Sequence, residues 1–132
     1  MAERIKMSDS EWKKKLKDEQ FRILRLGETE PPFSGDYVNQ KRKGVYKCAG
    51  CGLKLFSSDV KYDSGSGWPS FFDILPEDGL EEKEDLSYFM RRTEIRCPRC
   101  GGHLGHVFDD GPEPTGLRYC VNSLSLDFDE TE

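Results

Sequence analysis

The spacing of apolar residues changes character partway along the chain. From Ser8 to about Leu26, Trp12, Leu16, Phe21, Leu24 and Leu26 lie among charged residues and predict helix, with Ser8 and Glu11 fitting a capping box at its start. Whether this is one unbroken helix is left open. Gly27 is a plausible stop, and Pro31-Pro32 excludes continuation. The segment PPFSGDYVNQKRKG reads as a wrapping loop, and its Lys41-Arg42-Lys43 run as a solvated turn. From Gly44 onward short alternating runs appear, VYKC, LKLFSS, YFMRRTEIRC and LRYCVNSLSLDF, which predict antiparallel β. The expected whole is a mainly β single domain over residues 1–132, with residues 1–7 and 129–132 frayed.

Composition sharpens this picture. Only 35% of the residues are hydrophobic and 34% are charged, a thin supply of core for 132 residues, so the fold needs something besides apolar burial. No apolar stretch reaches signal-peptide or membrane-spanning character, so a cytoplasmic location without membrane contact is expected. The formal net charge of -5 argues against a nucleic-acid partner, which demands a basic face.

The cysteines supply the missing element. CAGC holds Cys48 and Cys51, and CPRC holds Cys97 and Cys100. In a reducing compartment two such pairs point to metal rather than disulfides, and four thiolates complete the shell of a tetrahedral structural Zn2+ with no position left for chemistry. The other readings are a redox pair or reduced buried thiols, but a redox motif does not account for a second matching pair.

Cys120, in GLRYCVNSL, is then left over. In a strand it shares a face with Arg118 and Asn122, while Leu117, Tyr119 and Val121 face the other way. An ordinary cysteine is only about 3% thiolate at pH 7, and a nearby cation raises that fraction, so the arrangement suits a nucleophile. The alternative is a small buried hydrophobe. His103 and His106 follow the last paired cysteine in CPRCGGHLGHVF and could give a proton to a developing oxyanion. They could equally be structural, or one could replace a cysteine as ligand. In KYDSGSGWPSFF, Gly65 and Gly67 allow a loop presenting Trp68, which could line an apolar pocket or simply be core.

Taken together, CAGC, SGSGWPSF, CPRCGGHLGHVF and RYCVNSLSL resemble the zinc-containing type B methionine sulfoxide reductases over nearly the whole chain. The resemblance implies antiparallel sheets with short N-terminal helices and reduction of methionine R-sulfoxide, chiefly in proteins. It makes Cys120 the nucleophile that becomes a sulfenic acid, with His103 or His106 handling the proton, Arg118 favouring the thiolate and Asn122 orienting nearby polar groups. Trp68 would hold the substrate methyl, with Phe108 a second wall. Asp110 would join the polar network or form a plain turn. Where many members carry a resolving cysteine this chain has Ser66, so thioredoxin or a small thiol must reduce Cys120 directly. A monomer is expected. The competing reading is a non-enzymatic zinc-stabilised β module that binds a ligand at Trp68, and a nucleic-acid-binding zinc ribbon ranks last.

Overall fold

The computed structural model describes residues 7–77 and 79–131. Two short helices precede two antiparallel sheets, as the resemblance implied. Helix α1 spans Asp9–Lys15 and opens on the expected box: the Ser8 side chain accepts from the Glu11 N–H, and Glu11 Oε1 accepts from the Ser8 N–H. The helical stretch is broken. Leu16 turns extended, at φ -100° and ψ 153°, and a second helix, α2, runs Asp18–Leu24 with the Lys17 N–H bound to Gln20 Oε1. Trp12, Leu16, Phe21 and Leu24 are buried, but Leu26 is 57% exposed, because it lies past the end of α2.

The strands are β1 (Gly44–Cys48), β2 (Lys54–Ser57), β3 (Lys61–Tyr62), β4 (Ser70–Phe71), β5 (Glu81–Asp85), β6 (Arg92–Arg96), β7 (His103–Phe108), β8 (Arg118–Val121) and β9 (Leu126–Glu130). They form a three-stranded sheet ordered β2-β1-β9 and a six-stranded sheet ordered β3-β4-β8-β7-β6-β5. The C-terminal segment departs from expectation: Asp129 and Glu130 do not fray but pair with Val45 and Gly44, since β1 offers them an unpaired edge. Residues 1–6 and 132 of the expected frayed ends lie outside the described residues, while Met7 packs against the core.

The core is aromatic where the sheets meet. Phe56 from β2 stacks on Phe71 from β4 at 4.2 Å, and Tyr46 from β1 meets Phe71 edge-on at 5.2 Å. Leu55, Ile95, Leu104 and Val121 are all fully buried beside them. This core fixes β8 between β4 and β7, with Cys120 directly opposite Ser70 on one side and His106 on the other. Gly105 makes that approach possible, because a side chain there would meet the Cys120 carbonyl oxygen at 1.9 Å.

Candidate active site and metal centre

Cys48 and Cys51 flank one tight turn and Cys97 and Cys100 another, each closed by a glycine N–H bonding back to the first cysteine: Gly52 to the Cys48 carbonyl and Gly101 to the Cys97 carbonyl, both 2.8 Å. Gly52 and Gly101 sit at φ 81° and 74°, where a side chain is strained. The four sulfurs lie within 4.8 Å of one another, with Cys48–Cys100 at 3.6 Å and Cys51–Cys97 at 3.5 Å. A tetrahedral centre with metal–sulfur bonds of about 2.3 Å has sulfur–sulfur edges of about 3.8 Å, so the donor set fits such an ion. Four thiolates this close also repel strongly unless a cation lies among them. The Gly102 N–H points at Cys100 Sγ, 3.4 Å away, and Arg25 reaches from the end of α2 to the Cys100 carbonyl at 2.8 Å. Trp12 lies against Gly50 of the Cys48–Cys51 turn, and the Arg25 guanidinium is 4.9 Å from its ring.

Cys120 takes no part in that cluster. It opens onto a separate cavity of about 260 Å³ that it shares with His106, Trp68, Phe108, Arg118 and Asn122. A larger groove of about 580 Å³ beside α2 holds neither a cysteine nor a histidine, so chemistry rather than volume selects the site. Burial pushes the Cys120 thiol above its ordinary pKa; the Ser66 hydroxyl and Arg118 pull it down, and Glu30 adds to the rise. Burial thus opposes the thiolate, and Arg118 acts in the favouring direction expected of it. Arg118 is already engaged: its Nε and Nη2 donate to Asp110 at 2.9 and 3.2 Å, and its guanidinium lies 4.3 Å from the Phe108 ring. Asp110 is thus more than a plain turn residue.

The two imidazoles occupy different depths. His106 lines the cavity, and its Nε2 lies 2.7 Å from Asp85 Oδ2 on the neighbouring β5–β6 hairpin. Asp85 is held well below the usual carboxylate range, first by His106 and then by Ser87, so it is ionised and the imidazole donates to it from Nε2. A neutral His106 then has its lone pair on Nδ1. His103 does not line the cavity; it sits 5.7 Å behind His106 ring to ring, with Nδ1 against Glu94 Oε2 at 2.6 Å. Burial lowers the His103 pKa, while Glu94, pushed up by burial, is brought below its ordinary value by Arg96 and His103. His103 is therefore a neutral, buried neighbour of the site. Neither histidine belongs to the metal cluster.

Asn122 lines the same cavity. Its amide is committed to backbone, Oδ1 accepting from the Glu30 N–H and Nδ2 donating to the Leu104 carbonyl, both at 3.0 Å. The Trp68 indole N–H donates to the Glu30 carbonyl, also at 3.0 Å. Glu30 therefore ties Trp68 and Asn122 together, and its Oε1 accepts from the Leu124 N–H at 2.9 Å. Asp85, Glu94 and Glu30 escaped the sequence reading. Asp85 is one acid in the run EEKED, and only strand pairing distinguishes it. Glu94 alternates with Arg92 and Arg96 and reads as a strand surface residue. Glu30 precedes Pro31 in what reads as loop.

The SelR domain family matches residues 16–130. This chain belongs to that family. Within it, the chain is 58% identical over 128 residues to the peptide methionine sulfoxide reductase MsrB of Methanosarcina barkeri, covering 97% of this chain and 90% of that one. It is 56% identical to the proteins of the same name from Methanosarcina mazei, over 98% of this chain and 92% of that one, and Leptospira interrogans, over 94% and 95%. The SelR match and these relatives agree with the family to which the four motifs pointed. Among the described residues no helix is long and apolar enough to cross a membrane.

Proposed function

We propose that this chain reduces methionine R-sulfoxide, chiefly in proteins, with Cys120 as nucleophile and Zn2+ as the structural ion of the Cys48, Cys51, Cys97 and Cys100 cluster. The observation that carries the reading is the division of sulfurs: four lie within metal-binding reach of one another, and the fifth shares a cavity with an imidazole and an indole. The relatives' printed name supports the substrate class. Zinc held by four cysteines stabilises the fold and has no open position for substrate.

The step balances without outside atoms. The Cys120 proton passes to His106 Nδ1 and on to the sulfoxide oxygen as Cys120 sulfur attacks the sulfoxide sulfur, and the hydroxyl so formed then moves to Cys120. The substrate S–O bond breaks and a Cys120 S–OH bond system forms; methionine sulfur is reduced by two electrons and Cys120 sulfur is oxidised by two. The Trp68 indole, with Phe108, supplies an apolar wall for the methyl group. Arg118, braced by Asp110, favours negative charge as it develops on sulfur. His103, neutral behind His106, fixes that ring's setting, and Asn122 holds the Glu30 segment that carries the indole.

Regeneration needs two electrons from outside. Ser66 Oγ, 3.9 Å from Cys120 Sγ, occupies the position where a resolving sulfur would serve, and it cannot form a disulfide. Thioredoxin or a small thiol would attack the sulfenic acid, release water and free Cys120 through a mixed disulfide. The chain acts as a cytoplasmic monomer in this reading. Cys120→Ser tests it: sulfoxide reduction disappears while bound zinc and the melting transition persist. An active Cys120→Ser protein, or a wild-type protein inert toward both sulfoxide epimers, refutes it.

A further inference from the structure

Three serines meet in the loop that carries Trp68, and their protons can be followed. Ser64 Oγ donates to Ser66 Oγ at 2.8 Å, which uses the only hydroxyl proton of Ser64. Ser64 Oγ also lies 2.7 Å from Ser70 Oγ; with the Ser64 proton used, the proton in that contact is the one Ser70 shares with the Trp68 carbonyl, 3.2 Å from Ser70 Oγ. Ser66 Oγ accepts from Ser64 and, at 3.4 Å, from the Trp68 N–H, which leaves its own proton free to point outward. Two acceptors compete for it, the Trp68 carbonyl at 3.5 Å and Cys120 Sγ at 3.9 Å. Ser70 is fully buried and lies opposite Cys120 in the sheet, so the series begins and ends at the same strand pair.

We propose that Ser70, Ser64 and Ser66 form a directed series of hydroxyls whose last proton turns from the Trp68 carbonyl to the Cys120 sulfur when that sulfur becomes an anion. A hydrogen bond to an ion is roughly twice as strong as one between neutral groups, and each donor in a series polarises the next. The competition at Ser66 is therefore decided by the charge on sulfur. Ser66 is then a catalytic residue, in contact with the reacting atom, and Ser64 and Ser70 are positioning residues that act through it.

The proposal rests on the reading of Cys120 as nucleophile and answers a difficulty in it. Burial opposes the thiolate, and the cation at hand, Arg118, is shared with Asp110. Among the described residues, the titratable and charged groups around Cys120 are Arg118 on its own strand, His106 on β7, Arg92 of β6 in the same cavity, Tyr62 on β3 and Glu30 in the loop after α2. The serines do not titrate in the working range, so their effect on Cys120 changes its thiolate fraction without adding a new ionisation.

The test is the pH dependence of Cys120 alkylation by iodoacetamide in the zinc-loaded protein, followed by mass spectrometry, for wild type, Ser66→Ala, Ser66→Thr and Ser64→Ala. Ser66→Ala should alkylate about 3- to 10-fold more slowly at neutral pH and catch up at alkaline pH, as the difference between a charge-assisted bond to the sulfur and the neutral bond to the Trp68 carbonyl requires. Ser64→Ala should shift the same way by less, and Ser66→Thr, which keeps the hydroxyl, should restore the wild-type profile. A Ser66→Ala profile superimposed on wild type overturns the proposal, as does a Ser66→Thr profile matching Ser66→Ala. Alkylation needs no sulfoxide, so a failure of the sulfoxide reading shows separately, as a wild-type protein that alkylates normally and reduces nothing.

Discussion

Removing the carboxylate behind His106 separates proton handling from binding. Asp85 Oδ2 lies 2.7 Å from His106 Nε2 and 3.2 Å from Arg92 Nη2, and Asp85 Oδ1 accepts from the Ser87 N–H at 3.0 Å. Asp85→Ala leaves the imidazole free to flip tautomer and removes the charge that stabilises it once protonated. A hydrogen bond to a charged group is worth about 1.5 to 3 kcal/mol. At about 1.36 kcal/mol per tenfold in rate, kcat should fall about 10- to 150-fold. Asp85→Asn keeps an acceptor for Nε2–H and loses only the charge, so its kcat should fall less than that of Asp85→Ala. KM should move little in either, because Asp85 does not line the cavity. Steady-state kinetics with a methionine R-sulfoxide peptide and saturating thiol reductant measure both constants. Full kcat in Asp85→Ala, or a larger loss in Asp85→Asn than in Asp85→Ala, refutes the assignment of His106 as the proton carrier.

Other outcomes follow from the same geometry. Stripping the metal should abolish the cooperative melting transition, because a four-cysteine zinc site contributes about 10 to 16 kcal/mol in peptides, as much as the whole stability of a typical domain; calorimetry of chelated protein that retains its transition would contradict this. Trp68→Ala should lower kcat/KM about 10- to 100-fold through the lost apolar wall, with Cys120 alkylation unchanged, and an unaltered kcat/KM would remove Trp68 from the site. Glu30 is raised above its ordinary pKa chiefly by burial, so its favourable share of stability is complete below the unfolded carboxyl pKa and is lost as pH rises through the folded value. Glu30→Gln escapes that loss, and its melting temperature relative to wild type should climb as pH rises above the ordinary carboxyl range; a constant difference would show that the buried carboxylate carries no such penalty.

Local features of the sequence reached the structure where one residue or one short turn carries the information. The Ser8–Glu11 box, the two glycine-closed cysteine turns and the alternation of Arg118, Tyr119, Cys120 and Val121 are all present as read. Features that depend on pairing were not legible. Nothing in EEKED marks Asp85, yet the register of Asp85 with Arg92 on the β5–β6 hairpin brings its carboxylate to His106. The spacing His103–His106 suggests equivalent rings, but their depths differ, and with them their partners. The Arg118 charge was visible in the sequence and its sharing with Asp110 was not; nor was the burial that outweighs it at Cys120. Leu26 and the Asp129–Glu130 end show the same limit, since exposure and edge pairing are set by distant segments.

The most direct test of the separation between metal-holding and reacting sulfur is a single turnover without reductant, using resolved R and S sulfoxide peptides labelled with oxygen-18. Intact-protein and peptide mass spectrometry should find one labelled oxygen, on Cys120 alone and only with the R epimer, while Cys48, Cys51, Cys97 and Cys100 stay reduced and metal-bound. Label on any of those four, or a turnover that leaves Cys120 unlabelled and without an oxygen-derived adduct, contradicts the account.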